Sequence, residues 1–194
     1  MADIPPPPNA PPKTEIVHFH SITTRTGSKV PDFRRVAFTG LYSQVVLMTV
    51  HPNEEHPAET LPVDKTVTFT SGKGEVISNG KTTPVGTGDL IIIPAGTMHQ
   101  VSNTDKERSL VTYIVYSPAY HSPITCHETV SHGFIEEGEG FDRPARWSQQ
   151  TRAENIAQGL VPEVPKKEIV SSGSSEIGGS PMEAGASPPV EEEL

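Results

Sequence analysis

Gly88-Asp89-Leu90-Ile91-Ile92-Ile93-Pro94-Ala95-Gly96-Thr97-Met98-His99-Gln100-Val101-Ser102-Asn103 reads as a turn, a buried strand, a Pro/Gly turn, and a second strand with one inward histidine. Gly88 permits the tight turn that feeds the first strand. Leu90 to Ile93 is an unbroken apolar run, which predicts a strand buried in a sheet wall. Pro94 and Gly96 stop the ladder and re-aim the chain. His99 then starts the next strand, where alternation sends it inward with Val101 while Gln100 points out.

Short β-rich runs punctuated by turn signals surround this stretch. They are Glu15–His20, Val36–Tyr42, Gln44–His51, Thr66–Ser71, Glu75–Ser78, Lys81–Pro84, Asp89–Ile93, His99–Ser102 and Leu110–Tyr116. Asn79-Gly80 lies between two of them, a strong hairpin signal. The pattern predicts an all-β barrel or sandwich. One helix is expected over Ser148–Gln158, capped by Ser148 and ended by Gly159. The folded unit is expected over 13–145, with the helix inside 146–160. Residues 1–12 form a Pro-rich arm unsuited to a sheet. Residues 161–194 are rich in Ser, Gly, Pro and Glu, and bury too little to offset their ordering entropy, so disorder is expected there.

Composition excludes several classes of partner. The 194 residues carry a formal net charge of −9, which leaves no basic footprint for nucleic acid. The single cysteine, Cys126, cannot form an intrachain disulfide. It predicts a reducing, cytoplasmic setting, and its neighbours predict a packing role rather than reactivity. Met1-Ala2-Asp3-Ile4 and the prolines after it form neither the basic nor the apolar region of a secretory leader. The longest apolar run is too short to span a bilayer, so no membrane partner is expected.

The motif at 88–103 resembles the second signature of the cupin superfamily: Pro-Gly, five residues, Pro-x-Gly, two residues, His, three residues, Asn. Gly88, Pro94, Gly96, His99 and Asn103 match it, and Thr87 replaces its first proline. Tyr113-Ile114-Val115-Tyr116-Ser117-Pro118 and Thr125-Cys126-His127-Glu128-Thr129 are similar to runs in small single-domain cupins, some of them sugar-phosphate-isomerase-like. The resemblance covers Val45 to Thr129. It implies a single jelly-roll barrel with short helical and disordered extensions, pairing as a homodimer, and a pocket reached by His99. In metal-binding members the equivalent histidine is a ligand.

The family's first motif, which brings most of the metal ligands, is broken here. Aligned on Gly72, Glu59 takes the first ligand position, Leu61 the second histidine position and Lys65 the Glu/Gln position. Leucine cannot ligate, and an ammonium repels a dication. Two ligands rarely hold iron, manganese, nickel or zinc. His51 shares a strand face with Val45, Leu47 and Thr49, so His99, Glu59 and His51 form the alternative, non-standard metal set. Against it stands the reading of His51 and His56 as polar loop residues.

Lys65 alternates with Val67 and Phe69, which places it on the barrel-interior face. There it needs Glu59 or an anionic ligand as partner. The sequence therefore points first to a small-molecule-binding cupin with a degenerate metal site and no resident cofactor, using His99, Lys65 and Glu59. Second comes an enzyme, either a metal-dependent oxygenase on the non-standard ligands or a metal-free isomerase or cyclase with His99 and Lys65 as catalytic acid and base. Third comes a non-catalytic interaction protein. One scaffold hosts all three.

Overall fold

Period-two burial builds the walls of this protein. In Leu110–Ser117 the residues Leu110, Thr112, Ile114 and Tyr116 face inward and are buried, while Val111, Tyr113 and Val115 face outward. A computed structural model describes residues 9–20, 22 and 32–163. The first eight residues of the Pro-rich arm, and the expected tail beyond 163, lie outside the described residues.

The strands are β1 Arg34–Thr39, β2 Gln44–Val50, β3 Glu55–Glu59, β4 Asp64–Ser71, β5 Lys73–Ser78, β6 Lys81–Gly86, β7 Leu90–Ile93, β8 His99–Asn103, β9 Leu110–Ser117 and β10 Cys126–His127. Helix α1 spans Val130–Glu139, and α2 spans Arg152–Ala157 after a 3₁₀ turn at Arg146–Gln149. Six strands form one sheet in the order β10-β1-β2-β9-β4-β7, and four form the other in the order β3-β8-β5-β6. The two sheets face each other as a jelly roll, an all-β fold. Val46, Met48, Val67, Phe69 and Ile114 from the first meet Val76, Val85 and Val101 from the second in one core.

The expected turns do their work. Asn79 and Gly80 both have positive φ, 50° and 73°, which is the type I′ geometry joining β5 to β6. Asn103 explains the last position of the opening motif. Its side chain donates to the carbonyls of Val50 and Arg108 and accepts from the Asp105 amide, tying down the β8–β9 loop.

Several expectations are corrected. Glu15–His20 forms no strand; no sheet edge pairs with it, and Ile16 is exposed. The run at β7 is not buried on both faces. As an edge strand it buries Ile93 but leaves Leu90 and Ile92 56% and 66% exposed. The late helix starts at Thr151, not Ser148, because Thr151 and Glu154 form a reciprocal capping box. Ser148 sits buried in the preceding 3₁₀ turn. Cys126 is exposed on β10, with its thiol 3.4 Å from Asp32, so it is not a packing residue. Among the described residues no helix is long and apolar enough to cross a membrane.

Candidate functional site

The interior is polar at one end of the barrel. β4 delivers Lys65 inward between the sheets, fully buried with Val67 and Phe69. β3 and β8 pair Glu59 with His99 on the opposite wall. Lys65 Nζ lies 2.6 Å from Glu59 Oε1 and 3.2 Å from His99 Nε2. His99 Nε2 is itself 3.1 Å from the same carboxylate oxygen. The three groups expected from the sequence thus meet in one triangle.

Hydrogen bonds assign the tautomers. His99 Nδ1 lies 3.0 Å from the Thr97 carbonyl and donates to it, which leaves the Nε2 lone pair to accept from Lys65. His56 repeats the arrangement. Its Nδ1 donates to the Pro57 carbonyl at 2.9 Å and its Nε2 accepts from Arg34 Nη2 at 3.0 Å. A register shift between His56 and Glu59 lets residues three apart in the chain both face inward.

The charges are strongly coupled. Burial pushes the Glu59 carboxyl up, but the Lys65 ammonium against it overrides this and holds it well below the ordinary carboxylate range. Burial pulls the Lys65 amine below its ordinary value while Glu59 opposes the fall. His56 is pushed down to about 4 by burial, with Lys65 and Arg34 reinforcing it against Glu59. Burial raises the Tyr116 phenol, which stays neutral with its ring centroid 5.9 Å from Lys65 Nζ.

The network continues from His56 through Arg34, which pairs with Glu137 of α1. Beyond Glu137, His121 Nδ1 bonds Asp142 Oδ2 at 2.7 Å, and the other Asp142 oxygen accepts from the Ser122 amide at 2.7 Å and from the Thr125 hydroxyl at 2.5 Å. Thr125 and Thr129 thereby fasten the segment after β9, with Thr129 capping α1. A pocket of about 140 Å³ opens beside His99, lined by Val76, Ser78, Thr83, Ile91, Ile93 and Thr97.

His51 does not join these groups. Val50 pairs with Leu110 at one end of β9, whereas Lys65 pairs with Tyr116 at the other. That separation is about 20 Å along a strand. His51 instead contacts Ser109. Of the two histidines read as polar loop residues, His56 is the one that reaches the interior, from strand β3. Pro57 is tolerated beside it because β3 is a sheet edge. Arg34 was missed because β1 begins two residues before the β-rich run that signals it. Glu137 gave no sequence signal.

The donor atoms fit a dication poorly. Glu59 and His99 are capable ligands, but Lys65 Nζ already lies against both. Leu61, at a ligand position of the family pattern, packs in the apolar core. His121, Glu137 and Asp142 bring ligand-type atoms within 4.8 Å of one another. Those atoms are engaged by Asp142, Arg34, Ser122 and Thr125, and the adjacent guanidinium opposes a second cation.

Comparison with known proteins gives a consistent picture. A family model described as a cupin domain matches residues 46–116. The chain is 40% identical over 100 residues to uncharacterized protein L612 of Acanthamoeba polyphaga mimivirus, covering 49% of this chain and 62% of that protein. It is 32% identical over 126 residues to uncharacterized protein YrkC of Bacillus subtilis (strain 168), covering 61% of this chain and 64% of that protein. The match thus spans somewhat under two thirds of each relative. The crystal structure of BH2720 from Bacillus halodurans is 31% identical with a TM-score of 0.57, and the alignment covers 64% of this chain and 96% of that one.

Proposed function

We propose that this chain, which belongs to the cupin family, binds a small organic anion in its barrel, with Lys65 rather than a metal ion as the cation of the site. One observation carries the reading: Lys65 Nζ lies 2.6 Å from Glu59 and 3.2 Å from His99, the two side chains that the family pattern would give to a metal. A lysine there supplies a fixed positive charge in a low-dielectric interior, where an anion is held far more strongly than in water. The adjoining pocket, about 140 Å³, is small. It suits a compact acid rather than a drug-sized ligand, whose pockets run to roughly 300–1,000 Å³.

The test combines elemental analysis with thermal denaturation against short-chain carboxylates and sugar phosphates. The expected result is a chain purified without stoichiometric metal, whose melting temperature rises with one of these anions. The Glu59→Gln/Lys65→Met protein, which removes both charges together, is expected to fold and lose that response. One equivalent of tightly held metal per chain, or an undiminished response in the double variant, would refute the reading.

A second reading has its own support. The His99 Nε2 lone pair faces a lysine whose amine is held below its ordinary value, which is the arrangement of an acid–base pair. On this reading the bound acid is isomerised or cyclised without metal. NMR of each stabilising anion with the protein would then reveal slow conversion, abolished by His99→Gln.

A further inference from the structure

We propose that Arg34 is an anion receptor inside the barrel and that Glu137 is its built-in occupant, seated where the carboxylate of a small organic acid binds. The inference rests on the ligand-binding reading above. It adds the ligand's chemical class and a second anchoring residue.

Arg34 is built as a receptor. It stands on a sheet strand, is 3% exposed, and its guanidinium is held by His56 Nε2 and lies 5.1 Å from the Phe33 ring centroid. Rigid placement of a planar fork is what carboxylate recognition requires. Its Nε is buried without a hydrogen-bond partner, so the guanidinium has a donor to spare.

Glu137 is held differently. It is 23% exposed and comes from α1, whose only buried residue is Gly133. Phe134 and Ile135 of that helix are exposed. Its last turn carries Glu136, Glu137 and Glu139 and no basic residue, so these charges oppose the helix dipole. The carboxylate that satisfies Arg34 is therefore presented by a weakly packed element, whereas Arg34 and Lys65 sit on paired strands. With Glu137 counted out, Lys65 keeps Glu59 as its partner while Arg34 is left without a carboxylate, the vacancy that a monoanion's carboxylate fills. An incoming acid replaces one carboxylate by another on the same guanidinium, and no buried charge is left unpaired during the exchange.

Glu137→Ala removes a fragment the size of acetate, so acetate is the probe. Melting temperatures of the full chain are measured with increasing acetate, against chloride at equal ionic strength. Glu137→Ala is expected to melt below the parent and to be restored saturably by acetate, with no comparable shift in the parent or with chloride. Arg34→Met/Glu137→Ala is expected to lose the acetate response. Any acid that stabilises the parent is expected to bind Glu137→Ala about tenfold tighter or more, because the internal competitor is gone. No acetate response in Glu137→Ala, or an equal response without Arg34, would overturn the proposal. If Glu137→Ala fails to fold, Glu137→Gln takes its place; acetate should then bind tighter than to the parent, and equal affinity would overturn the proposal. Acetate rescue with no anion response of the parent would sustain the receptor and remove the Lys65 reading. An anion response through Lys65 without acetate rescue would do the reverse.

Discussion

At the scale of the residue, Lys65 and Glu59 show how a charge is accommodated inside the barrel. The ammonium is fully buried, yet its carboxylate partner lies 2.6 Å away and His99 accepts a second bond. Breaking such a pair costs far more than removing it whole. Lys65→Met alone should destabilise the protein by about 3–5 kcal/mol, because Glu59 is left charged and buried. The Glu59→Gln/Lys65→Met double variant should recover most of that loss in urea unfolding. A double variant as unstable as the single one would show that packing, not charge, sets the cost. Lys65 was legible in the sequence because Val67 and Phe69 mark its face. Its relation to His99 followed only from the resemblance, since nothing local ties the two strands together.

Among the elements, β7 and α1 depart most from what their sequences imply. Leu90–Ile93 reads as a fully buried strand, but its place at a sheet edge leaves alternate side chains in solvent. Ile93→Ala should therefore cost about 2–5 kcal/mol, whereas Leu90→Lys and Ile92→Lys should each stay within about 0.5 kcal/mol. Thermal denaturation of the three variants would distinguish edge from interior. Helix α1 has no strong apolar stripe and was not anticipated; the Thr129 cap and the Gly140 terminus in the left-handed conformation bound it. Reversing one opposing charge with Glu139→Lys should stabilise it by ~0.3–1 kcal/mol. That would appear as two- to fivefold slower amide exchange over 130–140. Unchanged exchange would show that the dipole does not limit the helix. Both elements illustrate that a run of residues states its own period but not its neighbours.

For the whole molecule, the buried charge network makes stability depend on pH. Folded His56 titrates near 4, against 6.5 ordinarily. Between those values the unfolded chain holds the proton and the folded chain does not, so stability rises with pH across that window and is fully present above it. Acidifying from neutrality to about pH 4 should withdraw about 3 kcal/mol through this group. Asp142 adds to the loss at lower pH. Burial raises its carboxyl, but His121 and Thr125 prevail and bring it down to about 2, so its contribution disappears as pH falls from its ordinary 3.8 toward that value. Urea midpoints measured from pH 7 to 3 should fall throughout, and His56→Gln should flatten the part above pH 4.5. An unaltered slope in that variant would assign the dependence elsewhere. The sequence by itself determined the barrel, its principal hairpin, and the inward faces of His99 and Lys65, because turn chemistry and period-two alternation act over a few residues. Tertiary structure alone decided that His56 and not His51 enters the site, and that Arg34 meets a carboxylate 103 positions away. Alternation states which way a side chain points; only the packing of two sheets and a helix determines what it meets.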